Sequence, residues 1–498
     1  MGRSLTPIYT VAETRALEAK AMAAAPNVSL MQKAGAAAAA HAKTLLGDSG
    51  KRILILAGPG NNGGDALEVA VLLKQQFLQV SCVFTGDTAR LPVDAALALG
   101  KWRAAGGELL AEIPSARKWD LVVDGLFGIG LTRAPTGRFA ELIDQANAID
   151  ARKLALDMPS GINADTGEAP GTTFRATDTI TFIALKPGLL TLDGPDHCGA
   201  LTCAPLDLES ERLIEPHGRL ADEAVLDELP APRPRNFHKG MAGTVAVIGG
   251  TTGMVGAVIL AGRAALKLGA GKVFLGLLSE QPPQIDYQHP ELMIRRADNV
   301  LAGAESDVVA IGPGMGTDAN AQRILSQVLR LEVPLVLDAD ALNLIASVSV
   351  LRTGVLGRSA PTILTPHPAE AARLLELKTA AIQADRVQAA CELARRFKAQ
   401  VVLKGNGSLI ATPDGRWWIS ASGNPGMASG GMGDALTGII ASLIAQGMEP
   451  ESALRTGVFV HGAAADRAVA QGAGPAGLTA SELIDAARSI INNRPSSI

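Results

Sequence analysis

The chain has 498 residues, a formal net charge of −4, 47% hydrophobic residues and only 3% aromatic residues. This length suits two to four domains, and the absence of a long basic run argues against a nucleic-acid partner. The core has to be built from Ala, Val, Leu and Ile, as in α/β proteins with buried parallel strands. Four scattered cysteines form no Cys-x-x-Cys pair, which excludes a zinc ribbon or disulfide framework and indicates reducing cytosol.

Neither the beginning of the chain nor its most apolar stretch predicts membrane targeting. The segment starting at Met1 lacks the apolar region of a secretory signal. Residues 242–262 carry no charge and are about long enough to span a bilayer. They divide into a short strand, a glycine turn and a helix start, so we expect no membrane span.

The first part of the chain alternates predicted helices and strands. Residues 10–45 are predicted to be helical, and Thr10–Glu13 resembles a capping box. Short apolar runs that predict strands follow at 52–57, 80–85, 119–124 and 153–157, with helices between them at 66–78 and 139–148. Strands that alternate with helices predict a parallel sheet covered on both faces.

The pattern lapses over residues 208–237, where charged residues and the proline-rich segment 230–236 cannot continue a helix or a central strand. We therefore expect a first domain over residues 1–215 and a second over 220–498. The alternation then resumes, with strands predicted at 244–248, 272–275, 307–311, 335–337, 362–364 and 401–403. Both domains have glycine-rich turns at strand ends, where ligands bind in open α/β sheets.

The first of these turns, Gly58-Pro-Gly-Asn-Asn-Gly-Gly-Asp65, fits the dinucleotide fingerprint G-x-G-x-x-G formally. Two features disagree with an ordinary dinucleotide site. Asp65 is predicted at the helix start, where a pyrophosphate would lie, and Asn61 and Asn62 put amide side chains into the turn. These groups favour a polar ligand or a hard cation.

Further oxygen-bearing side chains follow two later strands of the first domain. Asp124 and Asp157 each end a strand, and Ser160 follows Asp157 closely. Together with Asn62, Asp124 and Ser160 have the oxygens to coordinate a monovalent or divalent cation, while Asp157 has the chemistry of a base. For each residue alone, an Asx turn or similar turn role is the alternative.

Residues 5–210 resemble the NAD(P)H-hydrate epimerase family. The resemblance is carried by residues 58–65, Asp124-Gly-Leu-Phe-Gly128, Asp157-Met-Pro-Ser-Gly161 and Lys186-Pro-Gly-Leu-Leu190. It implies a Rossmann-like three-layer αβα sandwich, a potassium ion held by Asn62, Asp124 and Ser160, and proton transfer by Asp157. It also implies contacts to the hydrated nicotinamide nucleotide from Asn61, Asn62, Gly63, Gly64, Asp65, Gly128, Ile129, Gly130, Leu131, Thr132, Arg133, Ala134 and Asp157. Ala66 departs from the glycine usual in that family.

The second domain carries a glycine-rich loop, residues 423–438, that leads into an apolar helix with Asp434 at the junction. A helix start offers unpaired N–H groups to an anion, and glycines let the backbone close around a phosphate. A carboxylate there repels phosphate unless it takes a proton from an attacking hydroxyl. The alternative is a plain N-cap aspartate after a flexible loop.

Other second-domain residues have both functional and structural interpretations. Asp338 and Asp340 are either an outer shell for magnesium or a helix cap. His367 alone is more typical of a hydrogen-bonded residue at a strand end than of a catalyst. Lys404, next to Gly405 and Gly407, favours a phosphate role.

Residues 220–490 resemble the ribokinase-like fold and, within it, the ADP-dependent NAD(P)H-hydrate dehydratases. The motifs are the 423–438 loop, Asn236-Phe-His-Lys-Gly240, residues 312–316, Leu337–Asn343, Thr365–Glu370, Leu403–Ser408 and residues 461–465. The resemblance implies nucleotide contacts from Lys404, Gly405, Asn406, Gly407, Ser408 and Gly433. It implies hydrate contacts from Ala257, Gly314, His367 and Asp434. Ser429 and Met432 replace frequent Thr and Ser, which would leave an anion hole made of backbone N–H groups.

The two resemblances together imply a bifunctional nicotinamide nucleotide repair enzyme. The first half would epimerise the R and S hydrates of NADH and NADPH, and the second would dehydrate the S form while ADP becomes AMP and phosphate. Asp434 would be the base, Mg²⁺ would accompany ADP, and we expect a cytoplasmic homo-oligomer. Three alternatives stay open: a small-molecule kinase with an accessory domain, a non-catalytic first domain, and an NAD-dependent dehydrogenase.

Overall fold

The structure is a computed structural model that describes residues 5–25, 27–115, 117–303 and 305–493. The chain divides into two compact units. The first is Pro7–His217, and the second comprises the described residues of Met1–Thr6 and Gly218–Ile498. Among the described residues, no helix is long and apolar enough to cross a membrane.

The first unit alternates strands with helices. Its strands are β1 (Pro7–Ile8), β2 (Arg52–Ala57), β3 (Gln79–Phe84), β4 (Leu109–Leu110), β5 (Leu121–Gly125), β6 (Arg152–Leu156), β7 (Asp178–Phe182) and β8 (Ala200–Ala204). Its helices are α1 (Val11–Ala24), α2 (Leu30–Leu46), α3 (Asn61–Gln75), α4 (Val93–Ala104), α5 (Arg138–Asn147), α6 (Gly194–Cys198) and α7 (Ser210–Leu213).

The sheet of the first unit has the order β4-β3-β2-β5-β6-β7-β8, and all neighbouring strands are parallel. Successive residues of β2 point to opposite faces, as strand geometry requires. Ile53 and Ile55 join the core that contains α2, α3 and α4, whereas Leu54 and Leu56 join the core that contains α5. The unit is thus a three-layer αβα sandwich. Its strand order reverses between β2 and β5, which opens a crevice at their carboxyl ends.

The second unit is also α/β. Its strands are β9 (Gly218–Leu220), β10 (Thr244–Gly249), β11 (Lys272–Leu277), β12 (Met293–Arg296), β13 (Val308–Ile311), β14 (Leu335–Leu337), β15 (Thr362–Leu364), β16 (Gln400–Leu403), β17 (Ser408–Ala411) and β18 (Trp417–Ser420). Its helices are α8 (Val255–Lys267), α9 (Ala297–Gly303), α10 (Ala319–Val328), α11 (Asp340–Ser347), α12 (Ser349–Leu356), α13 (Pro368–Leu375), α14 (Thr379–Ala384), α15 (Arg386–Phe397), α16 (Met432–Ala445), α17 (Pro450–Ala470) and α18 (Ala480–Asn492).

From β9 to β12 the sheet has the order β9-β18-β17-β16-β15-β14-β13-β10-β11-β12. It is parallel except for the β16-β17 and β17-β18 pairs. A Cβ atom at Gly262 of α8 would touch Leu275, and one at Gly276 would touch Ala297 and Val300 of α9. Because adjacent residues of β11 face opposite sides, α8 and α9 cover opposite faces of the sheet. The strand order reverses at β10 and β13.

The predicted α/β class and two parallel-sheet domains are confirmed, and the predicted strands coincide with observed strands to within two residues at either end. The helical region predicted at 10–45 consists of two helices, α1 and α2, each with its own side-chain N-cap. One helix prediction was wrong in detail. Helix α3 begins at Asn61 rather than Ala66, so Asp65 lies one turn inside the helix. The Thr10–Glu13 capping box is present.

Candidate active sites

A cleft of about 450 Å³ lies in the first unit, at the crevice between β2 and β5. The glycine-rich turn before α3 forms one side of it, and α1 and the loop after β5 form others. The turn packs tightly, because a Cβ atom at Gly58 would lie 1.9 Å from the Leu126 carbonyl oxygen. Glycine is therefore required for the two loops to meet. The switch point of the sheet thus carries a preformed ligand cleft.

Asn62, Asp124 and Ser160 lie close together beside this cleft. The fully buried Asp124 carboxylate accepts hydrogen bonds from the Ser160 hydroxyl (2.7 Å) and the Ser160 N–H (2.8 Å). Asn62 donates its amide N–H to the Phe127 carbonyl oxygen at 2.9 Å. Its buried Oδ1 has no hydrogen-bond partner among the described residues. Burial without a bond is costly for an amide oxygen, so this atom is suited to a cation.

The candidate cation site formed by Asn62, Asp124 and Ser160 offers few charged ligands. Among the described residues, no group of three or more His, Cys, Asp or Glu side chains is placed to hold a metal ion. Burial raises the pKa of Asp124 to about 6, although its bonds from Ser160 and the Leu126 N–H oppose that rise. One carboxylate among neutral oxygens suits a weakly charged, oxygen-liking cation better than zinc or another transition metal.

Asp157 directly follows β6 with a positive φ of 63°. One of its oxygens is bound by the ammonium of Lys186, whose side chain is 1% exposed. Lys186 also donates to the Thr181 hydroxyl and the Phe182 carbonyl oxygen, both at 2.8 Å. The other Asp157 oxygen faces Gly128, where a Cβ atom would lie 3.1 Å from it. Lys186 therefore holds one oxygen while the other faces the loop that lines the cleft.

Asp65 lines the same cleft from the second turn of α3. Burial and the negative charges of Asp157, Glu18 and Glu68 raise the pKa of Asp65 well above its usual range, and Lys186 lowers it only in part. Glu18 of α1 also lines the cleft, and its pKa is raised first by burial and then by Asp157. The cleft therefore collects carboxyl groups that favour the protonated form.

The structure brings together most, but not all, of the first-domain residues predicted to contact a ligand. The cleft is lined by Asn61, Asn62, Asp65, Gly128, Ile129, Gly130, Leu131 and Asp157. Gly63, Gly64, Thr132, Arg133 and Ala134 are not part of its lining, and Thr132 and Arg133 are exposed. Ala66 is fully buried against Gly125 and does not face the cleft, so its methyl group fills core space.

In the second unit, Asp434 is the third residue of α16. Gly431 is the N-cap, with φ 89° and no side-chain capping bond, so the plain N-cap interpretation of Asp434 is wrong. Burial raises the pKa of Asp434 to about 6, with Asp338 adding to the rise and Lys404 opposing it. A half-buried carboxyl beside free helix N–H groups is placed for proton transfer next to a bound anion.

Lys404 and Asp338 form the charged centre of this site. Lys404 follows β16, and its ammonium donates to Asp338 at 2.8 Å. The second Asp338 oxygen accepts from the Thr437 hydroxyl of α16, also at 2.8 Å. Burial alone would lower the pKa of Lys404, but Asp338, Glu370 and Asp434 raise it. A Cβ atom at Gly433 would lie 3.3 Å from that ammonium, so glycine leaves space for an anion there.

His367 lies near this centre and caps α13: its Nδ1 accepts from the Ala369 N–H, and Glu370 completes a capping box. Burial and the positive charge of Lys404 lower the pKa of His367. Gly314 and Ala257, two other predicted hydrate contacts, lie next to each other, because a Cβ atom at Gly314 would lie 3.4 Å from the Ala257 side chain. Asp338 and Asp340 are not N-caps, because α11 is capped by Ala339.

Sequence reasoning missed Arg386, the first residue of α15. Its guanidinium is 1% exposed and donates to the carbonyl oxygens of Leu403 and Lys404 at 3.3 Å and of Gly407 at 3.4 Å. These hydrogen bonds stabilise the backbone of the 404–408 loop. An isolated arginine in an Arg-Val-Gln helix start carries no motif, so no sequence signal could have identified it.

The two departures in the 423–438 loop have structural roles. The Ser429 hydroxyl donates to the Leu478 carbonyl oxygen at 3.0 Å. Met432 is 5% exposed and packs in the core with α8 and α17, and its carbonyl oxygen lies 2.9 Å from Nε2 of His461. Neither side chain is therefore a candidate donor to an anion at the start of α16.

Comparison with known proteins matches each half of the chain to a protein family. Residues 27–188 match the family described as YjeF-related protein N-terminus, and residues 245–488 match the NAD(P)H-hydrate dehydratase family. Two solved structures are similar to part of the chain. An ADP/ATP-dependent NAD(P)H-hydrate dehydratase from Bacillus subtilis is 32% identical with a TM-score of 0.47, covering 54% of this chain and 95% of that one. A ribokinase-like superfamily protein from Enterococcus faecalis is 28% identical with a TM-score of 0.49, covering 55% and 96%.

Full-length relatives cover both halves at once. The bifunctional NAD(P)H-hydrate repair enzyme of Escherichia coli is 40% identical, over 93% of this chain and 89% of its own length. The enzyme of the same name from Coxiella burnetii is 39% identical, over 98% of this chain and its whole length. This chain therefore belongs to the family of bifunctional NAD(P)H-hydrate repair enzymes.

Proposed function

We propose that the first unit epimerises the R and S hydrates of NADH and NADPH, with Asp157 as a proton-transfer residue. The observation that carries this proposal is the Asp157 carboxylate, held on one oxygen by buried Lys186 while the other faces the cleft-lining loop. A base needs a fixed orientation, and the bond from buried Lys186 supplies it. The family assignment names the substrate class.

We further propose that Asn62, Asp124 and Ser160 hold a potassium ion. The unpartnered Oδ1 of Asn62 and the buried Asp124 carboxylate support this donor set. When bound, the ion supplies positive charge beside the cleft. Replacing K⁺ by choline should lower the epimerisation rate and the melting temperature of the first unit, and Asn62→Leu should abolish both effects. Equal stability and rate in the two salts would contradict the potassium assignment.

For the second unit we propose dehydration of the S hydrate, coupled to conversion of ADP to AMP and phosphate. Asp434 takes the proton of the ring hydroxyl, whose oxygen attacks the β-phosphorus of ADP and displaces AMP. The C–O bond then breaks, phosphate leaves with the bonding electrons, and loss of a ring proton restores the double bond. The N–H groups at residues 431–434 and the Lys404 ammonium stabilise charge on the phosphoryl group.

Magnesium is proposed to enter with ADP and to neutralise phosphate charge. The Asp338 carboxylate already accepts hydrogen bonds from Lys404 and Thr437, and the Asp340 carboxylate accepts one from the Gly316 N–H. Direct coordination of Mg²⁺ by either carboxylate would therefore require these contacts to rearrange. These contacts favour an outer-shell role for both carboxylates.

The direct test is incubation of hydrated NADH with ADP or ATP while the nicotinamide absorbance, AMP and phosphate are followed. The proposal predicts one AMP and one phosphate for each NADH restored when ADP is supplied. A phosphorylated alcohol accumulating without return of NADH would instead favour the small-molecule kinase. The free cysteines support action in the reducing cytosol, and size-exclusion chromatography would test the predicted homo-oligomer.

A further inference from the structure

Asp65 and Asp157 share one cleft but have contrasting surroundings. Asp157 is bonded by Lys186, and the Thr181 hydroxyl and Phe182 N–H lie within 3.4 Å of the same oxygen. The Asp65 carboxyl makes no hydrogen bond or ion pair within the part of the chain that the structure describes. It is partly exposed to the cleft that it lines, so its oxygens are free to meet a ligand.

The charges around Asp65 are mostly negative. Burial is the main cause that raises its pKa, followed by the charges of Asp157, Glu18 and Glu68, while Lys186 acts in the opposite direction. The cleft also contains Arg15 of α1 and Asp94 of α4. Arg15 is exposed, and Lys186 is bound to Asp157, so no cation is placed directly on Asp65 among the described residues. Two carboxyls in one site with opposed surroundings are suited to opposite proton roles.

The proposed epimerisation needs both an acid and a base. Hydration of an enamine puts the hydroxyl on the carbon next to the ring nitrogen. One route that inverts that carbon releases the hydroxyl as water and adds another water to the opposite face. The first event requires a proton donor and the second a proton acceptor. Because the two waters lie on opposite faces of the ring, two carboxyl groups suit these roles better than Asp157 alone.

We propose that Asp65 is a second catalytic residue of the epimerase, the acid that works opposite Asp157. Asp65 gives its proton to the ring hydroxyl, the C–O bond breaks, and the nitrogen lone pair forms an iminium ion. Asp157 takes a proton from an incoming water, whose oxygen bonds to the same carbon. One water is released and one is consumed. The turnover ends with Asp65 ionised and Asp157 protonated, which is the state required for the reverse direction.

This inference rests on the proposed epimerase function, and full-length Asp65→Asn is its test. Using the purified R hydrate, we expect the variant to epimerise about 10²–10⁴-fold more slowly than wild type. The wild-type rate should fall as the pH rises through the pKa of Asp65, and the variant should lose that fall. Glu141→Gln is the control: it changes an exposed carboxyl of α5 that lies outside the cleft, and it should stay near the wild-type rate.

Each result separates this inference from the function on which it rests. Dehydration of the S hydrate by the Asp65→Asn chain should be unchanged, and wild-type amide hydrogen exchange within residues 53–73 would show that its first unit has folded. In ¹⁸O-labelled water, each wild-type epimerisation should place one solvent oxygen on the product. Normal epimerisation by Asp65→Asn, or product without solvent oxygen, would overturn the role of Asp65 alone. A wild-type chain that fails to epimerise would overturn the proposed function and this role with it.

Discussion

Asp434 and Asp157 are both proposed to take a proton, but different neighbours prepare them. Asp434 lies between a repelling carboxylate, Asp338, and an attracting ammonium, Lys404, in a half-buried position. Asp157 has its counter-charge in direct contact, on a lysine that is itself buried. Each carboxylate has one nearby cationic side chain, Lys404 for Asp434 and Lys186 for Asp157. Single substitutions can therefore test the two sites separately.

The pH dependence of dehydration should report Asp434. Its pKa is raised to about 6, chiefly by burial, and the base must be ionised to accept a proton. We therefore expect kcat for dehydration of the S hydrate to be level near pH 8 and to fall about tenfold per pH unit well below pH 6. Asp434→Asn should lose this titration and most of the rate. A wild-type rate that is unchanged between pH 5 and pH 8 would contradict the assignment.

Lys186→Met should impair epimerisation selectively. Removing the buried ammonium leaves the Asp157 carboxylate without its counter-charge and without the contact that fixes its orientation. We expect an epimerisation rate at least about tenfold below wild type. The dehydration rate of the same chain is the internal control. A wild-type epimerisation rate would show that Lys186 does not hold Asp157 in its working position.

At the scale of elements, helix α3 shows where prediction from sequence succeeds and where it fails. The strands were predictable because buried parallel strands are short apolar runs. The start of α3 was not, because Asn-Asn-Gly-Gly-Asp has poor helix propensity. The segment is helical because it packs closely: a Cβ atom at Gly63 would lie 1.9 Å from the Gly58 carbonyl oxygen.

The candidate site residues at strand ends could be predicted from the sequence, but the contacts of Lys186 and Arg386 could not, because those contacts depend on tertiary packing.

The packing of α3 against α2 can be tested with a pair of glycines. A Cβ atom at Gly35 of α2 would lie 2.5 Å from Cβ of Glu68, whereas one at Gly100 of α4 would meet nothing within 4 Å. Gly35→Ala should destabilise the first unit by about 1–3 kcal/mol through overpacking. Gly100→Ala should stabilise it by about 0.5–1 kcal/mol. Amide hydrogen exchange within residues 53–73 measures the change in stability caused by each substitution. Equal changes for the two substitutions would contradict the close packing of α2 against α3.

Helix α15 should control nucleotide binding through Arg386. Lysine at this position keeps the charge but cannot reach three carbonyl oxygens with one planar group. We expect Arg386→Lys to raise the KM for ADP about tenfold or more, with a smaller change in kcat and no change in epimerisation. Arg395→Lys is the matched control, since Arg395 is an exposed residue of the same helix. An unchanged KM for ADP in Arg386→Lys would show that the loop keeps its shape without the guanidinium.

At the scale of the whole molecule, the two units are chemically complementary. The family joins an epimerase half to a dehydratase half, and each half of this chain has its own candidate site at the carboxyl ends of parallel strands. An enzyme that dehydrates only one epimer leaves the other behind. A second activity that interconverts the epimers therefore allows complete recovery of the cofactor. We conclude that both activities belong to this one chain.

The most direct measurement is the extent of NADH recovery from a mixture of both hydrate epimers with ADP. We predict complete recovery by wild type, rapid recovery of the S fraction alone by Asp157→Asn, and none by Asp434→Asn. Mixing the two variants should restore complete recovery, because the epimerised hydrate passes between them in solution. Complete recovery by Asp157→Asn at the wild-type rate, or no recovery by the mixture, would contradict the account.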